Sequence, residues 1–301
     1  MPRTAALLLG LAIAPGMLRA QDPLVMRIES LTPRIYLISG FANGNLLALV
    51  GDSGVLLVDG QSAKRVALAD SALRTVTSLP VRVVINTHYH ADHIEGNPWW
   101  RARGATIIAH QNLPREAVKD TTITELDWHR TPAAPEALPD RTFVDSLKLD
   151  FEGQPVVLLH PPAAHTGGDA MVWFPRANVI HTGDLLERGA PPFLDWWGGG
   201  TLDGMIAGID RVLALADDRT LIVPGHGDPT NREGVLPYRA MLAAARDRIG
   251  ARVRSGETPD AIVAAHPLAD FTAMLGPQRW VDRFVGIVAL GMQRRPDPGC
   301  M

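Results

Sequence analysis

The chain has 301 residues, 46% of them hydrophobic and 20% charged, which is enough to bury a sizeable core in one large or two small domains. A formal net charge of −3 provides no basic surface for a phosphate backbone, so a nucleic-acid partner is disfavoured and a small-molecule substrate is expected. The single cysteine, Cys300, excludes an internal disulfide and lies too near the chain end to be a credible nucleophile.

Residues 1–20, MPRTAALLLGLAIAPGMLRA, have the layout of a secretory signal peptide. Arg3 precedes a short apolar run, and Ala20 is the small residue at a cleavage site. A membrane anchor or a buried first helix is the competing interpretation, but the run is shorter than the roughly 20 apolar residues that span a bilayer. We therefore expect a periplasmic or secreted protein with no membrane attachment after cleavage.

Short apolar strands separated by turn residues follow this segment. Residues 34–39, 45–50 and 54–60 predict hairpins in an antiparallel sheet. A helix is predicted over residues 62–79, where apolar residues form one helical stripe. The run VRVVINT at 81–87 has almost no polar alternation, which is typical of a strand covered on both faces.

The second half of the chain repeats this pattern. Strands are predicted at 104–110, 155–161, 170–174, 178–182 and 221–225. Helices are predicted at 202–216, with an apolar stripe wide enough to cover a sheet, and at 238–254. Two sheets flanked by helices, an αββα sandwich of the α/β class, follow from this order of elements.

Two other regions have a different composition. Residues 113–138 are polar and proline-rich, so we expect an insertion or loop. Residues 258–292 contain two further amphipathic stretches, expected to pack as helices, with a homodimer contact as the alternative. The predicted domains are therefore a signal peptide at 1–20, a main domain at 25–255, and a C-terminal helical extension and tail at 256–301.

The segment VINTHYHADHIEGN at 84–97 concentrates potential metal ligands directly after a predicted buried strand. They are His88, His90, Asp92 and His93. Burying such groups without partners is costly, whereas zinc is usually held by histidine nitrogens and carboxylate oxygens. A solvated polar turn or a single His–Asp catalytic pair is the alternative.

The pattern His-x-His-x-Asp-His resembles the hallmark of the metallo-β-lactamase superfamily. Four further blocks that resemble those of the family occur in order: GVLLVDG with Asp59, AHTGGD with His165, HTGDLL with Asp184, and VPGHGD with His226. The resemblance implies the metallo-β-lactamase fold and two zinc ions. It assigns the first ion to His88, His90 and His165, the second to Asp92, His93 and His226, and a bridging role to Asp184.

The resemblance also implies supporting residues. Asp59 is expected to hold the ligand loop through hydrogen bonds. His181 is expected either to support the ligands or to be a core histidine. Glu95 lies near the cluster, but its place in the motif is that of a solvated or capping side chain.

The expected activity is hydrolysis of an acyl bond by a metal-activated hydroxide that Asp92 orients, in a β-lactam, lactone, ester or thioester. β-Lactamases of the superfamily usually have Cys or Ser where this chain has Asp184, which resembles the bridging aspartate of glyoxalase II. One subclass binds the substrate carboxylate with a lysine at the position of Glu187, whose charge is expected to repel it. The alternatives are an iron-dependent oxidoreductase of thiols or sulfur compounds, and a non-catalytic metal-binding protein.

Aromatic residues near these motifs are candidates for an apolar substrate wall. They are Phe193, Trp196 and Trp197 in the segment GAPPFLDWWGGG, together with Trp99 and Trp100 behind the histidine cluster. The alternative is that the tryptophans are core or dimer residues.

Overall fold

The computed structural model describes residues 26–40, 44–124 and 128–294. The predicted signal peptide at 1–20 and Cys300 lie outside these ranges. The described residues form two large sheets packed face to face, a short separate hairpin, and helices on the two outer faces.

The first sheet has the strand order β1-β2-β3-β4-β5-β6-β9. Its strands are β1 Arg27–Ser30, β2 Ile35–Ser39, β3 Leu46–Val50, β4 Val55–Val58, β5 Val81–Ile85, β6 Thr106–His110 and β9 Arg141–Phe143. The first four strands pair antiparallel, and β4, β5, β6 and β9 pair in parallel.

The second sheet has the strand order β10-β11-β12-β13-β14. Its strands are β10 Ser146–Phe151, β11 Gln154–Leu159, β12 Met171–Phe174, β13 Val179–His181 and β14 Leu221–Val223. Since β12 is antiparallel to both of its neighbours and β13 is parallel to β14, the strands β11, β13 and β14 all run in one direction.

The helices follow the chain order. They are α1 Val66–Arg74, α2 Ala91–Ile94, α3 Asn97–Arg101, α4 Leu113–Ala117, α5 Leu202–Leu215, α6 Arg232–Arg254, α7 Pro259–Ala264, α8 Thr272–Leu275 and α9 Gln278–Arg294. Among them, none combines the length and apolar character needed to cross a lipid bilayer.

Side-chain alternation along the strands builds three apolar layers. Leu47 of the first sheet and Val172 of the second belong to the layer between the sheets, whereas Leu46, next to Leu47, points to the outer layer beneath α1. On the other side, α5, α6 and α9 cover the second sheet, and Ile209 and Phe284 are buried there. The predicted αββα sandwich is confirmed.

The C-terminal segment adds to this outer layer. The α6 helix begins after Asn231, whose side chain accepts a hydrogen bond from Gly234 N, and α9 packs against both α6 and α7. Val285 and Val288 of α9 are fully buried in the same apolar cluster as α5. Within the described residues, the helices after residue 255 therefore share a core with the second sheet.

Two stretches have more structure than the sequence indicated. Residues 113–138, predicted as an insertion or loop, contain α4, a hairpin of β7 Thr121–Ile123 and β8 Trp128–Arg130, and a short 3-10 turn. Strands β9 and β10 also had no prediction. Elements of three residues are too short to show periodicity, and β10 has exposed or half-buried residues at five of its six positions.

Two leucines of α6 test this packing. Leu242 is fully buried, whereas Leu236 is 44% exposed. We expect Leu242→Ala to lower the free energy of unfolding by about 2–5 kcal/mol, and Leu236→Ala to change it by less than about 0.5 kcal/mol. Equilibrium urea denaturation measures both, and equal losses would contradict the packing of α6.

Candidate metal centre

The predicted metal ligands lie on loops at one end of the sandwich. The loop after β5, which leads into α2, contributes His88, His90, Asp92 and His93. The loops after β11, β13 and β14 contribute His165, Asp184 and His226, respectively. Because these three strands run in one direction, their carboxyl ends meet at the same edge of the second sheet.

These seven side chains form two adjoining groups. In each group, one possible ligand atom per residue lies within 4.8 Å of all the others. The first group is His88, His90, His165 and Asp184, and the second is Asp92, His93 and His226. The structure thus brings together every residue that the sequence nominated as a metal ligand.

Asp184 lies between the two groups. Its Oδ2 is 3.6 Å from His165 Nε2 and 3.4 Å from His226 Nε2, and its Oδ1 is 3.5 Å from His93 Nε2. The carboxylate therefore faces both groups, as a bridging ligand would. Gly225 makes room for it, because a Cβ at that position would overlap Asp184 Oδ1.

Unpaired buried atoms are the observation that fits a metal here. His88 Nε2, His93 Nε2 and Asp184 Oδ1 are buried, and within the described part of the chain they have no hydrogen-bond partner. Buried polar atoms are normally paired, and a cation satisfies imidazole nitrogens and carboxylate oxygens at once. The donor set is therefore suited to one or more divalent metal ions.

Asp59 forms hydrogen bonds with the first loop. It accepts hydrogen bonds from Thr87 N at 2.7 Å and from His93 Nδ1 at 2.8 Å. His88 Nδ1 lies 3.1 Å from Thr87 Oγ1, which itself bonds to Asp59. Asp59 adopts φ 68°, a left-handed conformation uncommon outside glycine, to direct its carboxylate inward. These bonds leave Nε2 of both histidines free for a cation.

Asp195 supports His90, a role that sequence reasoning missed. His90 Nε2 donates to Asp195 Oδ2 at 3.0 Å, which leaves Nδ1 facing His165 Nε2 at 3.0 Å. Tyr89 Oη donates to the same Asp195 oxygen. Burial alone would raise the pKa of Asp195, but the bonds from His90 and Tyr89 lower it to about 2. Asp195 follows no motif spacing and carried no sequence signal beyond its place among aromatic residues.

His165 is oriented by backbone and by a buried carboxyl. Its Nδ1 donates to Phe193 O at 2.6 Å, which leaves Nε2 for the centre. Asp169, two glycines further along the AHTGGD block, accepts bonds from Thr166 N and Thr166 Oγ1 and shapes this loop. Asp169 was also missed, although it lies within a motif that the sequence analysis quoted.

His181 is a buried supporting residue. Its Nδ1 accepts from Gly183 N at 3.1 Å, beside Asp184, and its Nε2 lies 3.3 Å from Asn45 O. Both nitrogens are therefore engaged by backbone. Glu95 is exposed, and its carboxylate accepts a bond from Ala63 N at 3.3 Å.

Electrostatics divide the histidines into two kinds. Burial lowers the pKa of His88 and His165, the latter to about 4, so both imidazoles are neutral at physiological pH. Burial would also lower the pKa of His93, but the carboxylates of Asp59, Asp92 and Asp184 raise it to about 10. In the same way, Asp184 outweighs burial at His226 and raises its pKa to about 12.

A cavity of about 920 Å³ opens beside the second group. His90, Asp92 and Phe193 line it, and the Phe193 ring centroid is 5.8 Å from that of His90. Two residues of α3 and residues 128–134 also line it, so the inserted segment borders the site.

The aromatic candidates separate in the structure. Phe193 and Trp99 line the cavity. Trp100 is fully buried, with Nε1 donating to Gly60 O at 3.0 Å. Trp196 is buried in the core with α9 and stacks on Trp197, with ring centroids 4.1 Å apart. These three tryptophans therefore occupy packing positions, since ring area is buried most completely against other apolar side chains.

Glu187 does not face the cavity that Asp92 borders. It lines a second cavity of about 640 Å³ behind His226, and its carboxyl accepts a bond from Phe193 N at 3.0 Å. Burial, with Asp184 nearby, raises the pKa of Glu187 to about 8. Because its carboxyl lies outside the cavity that Asp92 borders, Glu187 is not placed to repel a substrate carboxylate there.

Comparison with known proteins identifies the family. The family model described as the metallo-beta-lactamase superfamily matches residues 39–226, more than half of the chain. The chain belongs to the metallo-β-lactamase superfamily. All seven residues of the two groups fall within the matched range.

Curated relatives of this superfamily member differ in activity. Metallo-beta-lactamase IND-1 of Chryseobacterium indologenes is 26% identical over 188 residues, 62% of this chain and 72% of the relative. A hydroxyacylglutathione hydrolase of Brucella anthropi is 27% identical over 259 residues, 81% of this chain and 87% of the relative. The chain is therefore similar in sequence to relatives that carry the names of two different hydrolases.

Solved structures share the fold. A metallo-beta-lactamase from Pontibacter korlensis has a TM-score of 0.59 at 17% identity, covering 72% of this chain and 99% of its own. The sec-alkylsulfatase Pisa1 from Pseudomonas sp. has a TM-score of 0.67 at 17% identity, covering 90% of this chain and 50% of its own. At such identity these matches establish the αββα architecture of the superfamily member.

Proton release tests the charge state of the second group. At pH 8, below the raised pKa of each, His93 and His226 hold a proton that a metal ion must displace. We expect Zn²⁺ binding to the metal-free protein to release about one proton from each, measured calorimetrically in buffers of different ionisation enthalpy. His226→Gln should release about one fewer. Heats independent of the buffer would contradict this.

Asp195→Asn tests the support of His90. The amide oxygen still accepts a hydrogen bond but carries no charge, so we expect metal affinity to fall about 10–100-fold. Asp210→Asn, which removes an exposed ion pair with Arg239, is the control and should leave affinity unchanged. Competition with a chelating dye measures both, and equal affinities for the two variants would exclude the role of Asp195.

Proposed function

We propose that this protein is a dinuclear zinc hydrolase acting on an acyl bond. The observation that carries the proposal is the pair of adjoining ligand groups with Asp184 between them, bordering a cavity. Membership of a superfamily of metallo-hydrolases supports the reaction class.

The donor set supports zinc. Five imidazoles and two carboxylates suit zinc better than magnesium or calcium, which prefer oxygen ligands. His88, His90 and His165 would hold one ion, Asp92, His93 and His226 the other, and Asp184 would touch both. When bound, such ions polarise a carbonyl oxygen and lower the pKa of water towards neutrality.

Asp92 is the ligand placed to handle the nucleophile. It is 30% exposed towards the cavity, with Oδ2 3.3 Å from His226 Nε2. Burial would raise the pKa of Asp92, but His93 and His226 hold it well below its usual range, so the carboxylate stays ionised. An ionised Asp92 orients a water molecule by accepting its hydrogen bond, and it can pass the proton towards the leaving group.

The cavity supports a small-molecule acyl substrate. Its volume is within the range of ligand pockets in general, and Phe193 and Trp99 supply apolar surface. A β-lactam, a lactone, an ester and a thioester all present the required carbonyl. The relatives named as a metallo-beta-lactamase and a hydroxyacylglutathione hydrolase support two of these classes.

We also propose that the protein acts in the periplasm or outside the cell. The proposal rests on residues 1–20, in which a charged start, an apolar run and a small residue follow one another in the order typical of a signal peptide. Amino-terminal sequencing of the protein recovered from its native compartment tests it, with a start near Gln21 expected. Recovery from the cytoplasm with residues 1–20 intact would overturn it.

Turnover and metal content test the proposed activity together. We expect the zinc-loaded protein to hydrolyse at least one of nitrocefin, an aryl ester, an acyl homoserine lactone and S-lactoylglutathione. Asp184→Asn should lower kcat/KM about 100-fold or more, because the carboxylate shared by both groups loses its charge. Asp210→Asn should be fully active. Absence of turnover with metal bound, or iron in place of zinc as the active metal, would contradict the proposal.

A further inference from the structure

Arg130 is a cation on the wall of the same cavity that Asp92 borders. It is the last residue of β8, in the inserted segment, and it pairs with Thr121 of β7. Pro98, Trp99 and Phe193 contribute apolar surface to this cavity. The cavity thus combines the guanidinium of Arg130 with that of Arg103, a set of apolar side chains and an edge of the metal centre.

The guanidinium of Arg130 is held in place by two neighbours. Its Nη2 donates to Thr121 Oγ1 at 3.2 Å, and its Cζ lies 4.4 Å from the ring centroid of Tyr89. The Tyr89 hydroxyl in turn donates to Asp195, the carboxylate that orients His90. Arg130 is therefore fixed relative to a metal ligand through a short chain of contacts.

Other charged residues on the cavity wall have protein partners. Arg103 stacks on the Trp99 ring at 3.6 Å and lies 3.7 Å from Asp70. His129 lies 3.3 Å from Asp120, and Asp92 lies between His93 and His226. Each of these groups therefore lies within ion-pair distance of another side chain of the protein.

Within the described part of the chain, Arg130 has no such counter-charge. No carboxylate of residues 26–40, 44–124 or 128–294 lies within 4.0 Å of its guanidinium, and its buried Nε has no hydrogen-bond partner there. A guanidinium offers five donors in a planar fork that matches a carboxylate or sulfo group. An unpaired, partly buried cation beside an apolar cavity is the complement of an anion attached to an apolar group.

We propose that Arg130 binds a compact oxyanion, a carboxylate or a sulfo group, carried by the substrate. The apolar remainder of the substrate lies against Pro98, Trp99 and Phe193, and its scissile bond lies towards Asp92. The assignment deepens the proposed function, because it defines an amphiphilic anion as the substrate class of that site. The recognition element belongs to the inserted hairpin rather than to the ligand loops.

Binding of non-hydrolysable probes tests the subsite without turnover. Hexanesulfonate and hexanoate carry the two oxyanions on the same apolar chain, and hexanol is the neutral counterpart. By calorimetry on the zinc-loaded protein, we expect Arg130→Gln to weaken binding of one or both anions about tenfold and to leave hexanol binding unchanged. Arg130→Lys, which keeps the charge and loses the fork, should fall between the two proteins.

Matched controls separate the subsite from charge or folding in general. Arg141→Gln removes an exposed arginine in β9 and should bind all three probes like the unmodified protein. The anion preference should shrink as NaCl is raised, because salt screens the partly exposed ion pair. Whichever anion depends on Arg130 identifies the oxyanion.

The proposal is overturned if Arg130→Gln and Arg141→Gln bind all three probes with the same affinities. It is also overturned if Arg130→Gln weakens the binding of hexanol as much as that of the anions, while Arg130→Lys retains the native circular dichroism. Since the sulfonate has no bond that the proposed hydrolysis breaks, these results stand apart from any failure to find acyl turnover.

Discussion

Clustering of seven ionisable side chains, four of them buried, at one end of the sandwich is the constraint on which the rest of the structure depends. Five imidazoles and two carboxylates lie together, and His88, His93 and His165 are almost fully removed from water. Such a cluster is unfavourable unless its charges are paired and its donors satisfied. The carboxylates at the centre and around it provide that pairing, and metal ions would complete it.

The fold meets this constraint with rigid supports. The carboxyl ends of parallel strands deliver the loops, Asp59 and Asp195 fix the rings of His93 and His90, and Gly225 leaves space for Asp184. Asp59 and Asp195 each engage a ring nitrogen that points away from the centre. His88 Nε2 and His93 Nε2, which face inward, have no hydrogen-bond partner among the described residues, so the protein orients both rings towards the centre.

Sequence predicted the parts of this arrangement that depend on local spacing. The long apolar strands and the covering helices followed from periodicity, and the seven candidate metal ligands followed from motif blocks that resemble those of the family. Asp195 and Arg130 could not be found in this way. Asp195 supports His90, which is distant in sequence, and Arg130 lines a cavity that separate segments of the chain form together. Trp196 and Glu187 were expected near the substrate because both lie close to Asp184 in sequence. In the structure, Trp196 packs in the core with α9, and Glu187 lines the second cavity behind His226.

In the proposed function, the inserted segment contributes to substrate selection beside the metal centre. Both proposals depend on the metal centre itself. Its most direct test is the metal content of the purified, zinc-equilibrated protein, measured by mass spectrometry alongside His226→Ala. The account predicts two zinc ions per chain, with one retained in His226→Ala by the group that contains His88. One zinc ion per chain in both proteins, or none, would contradict it.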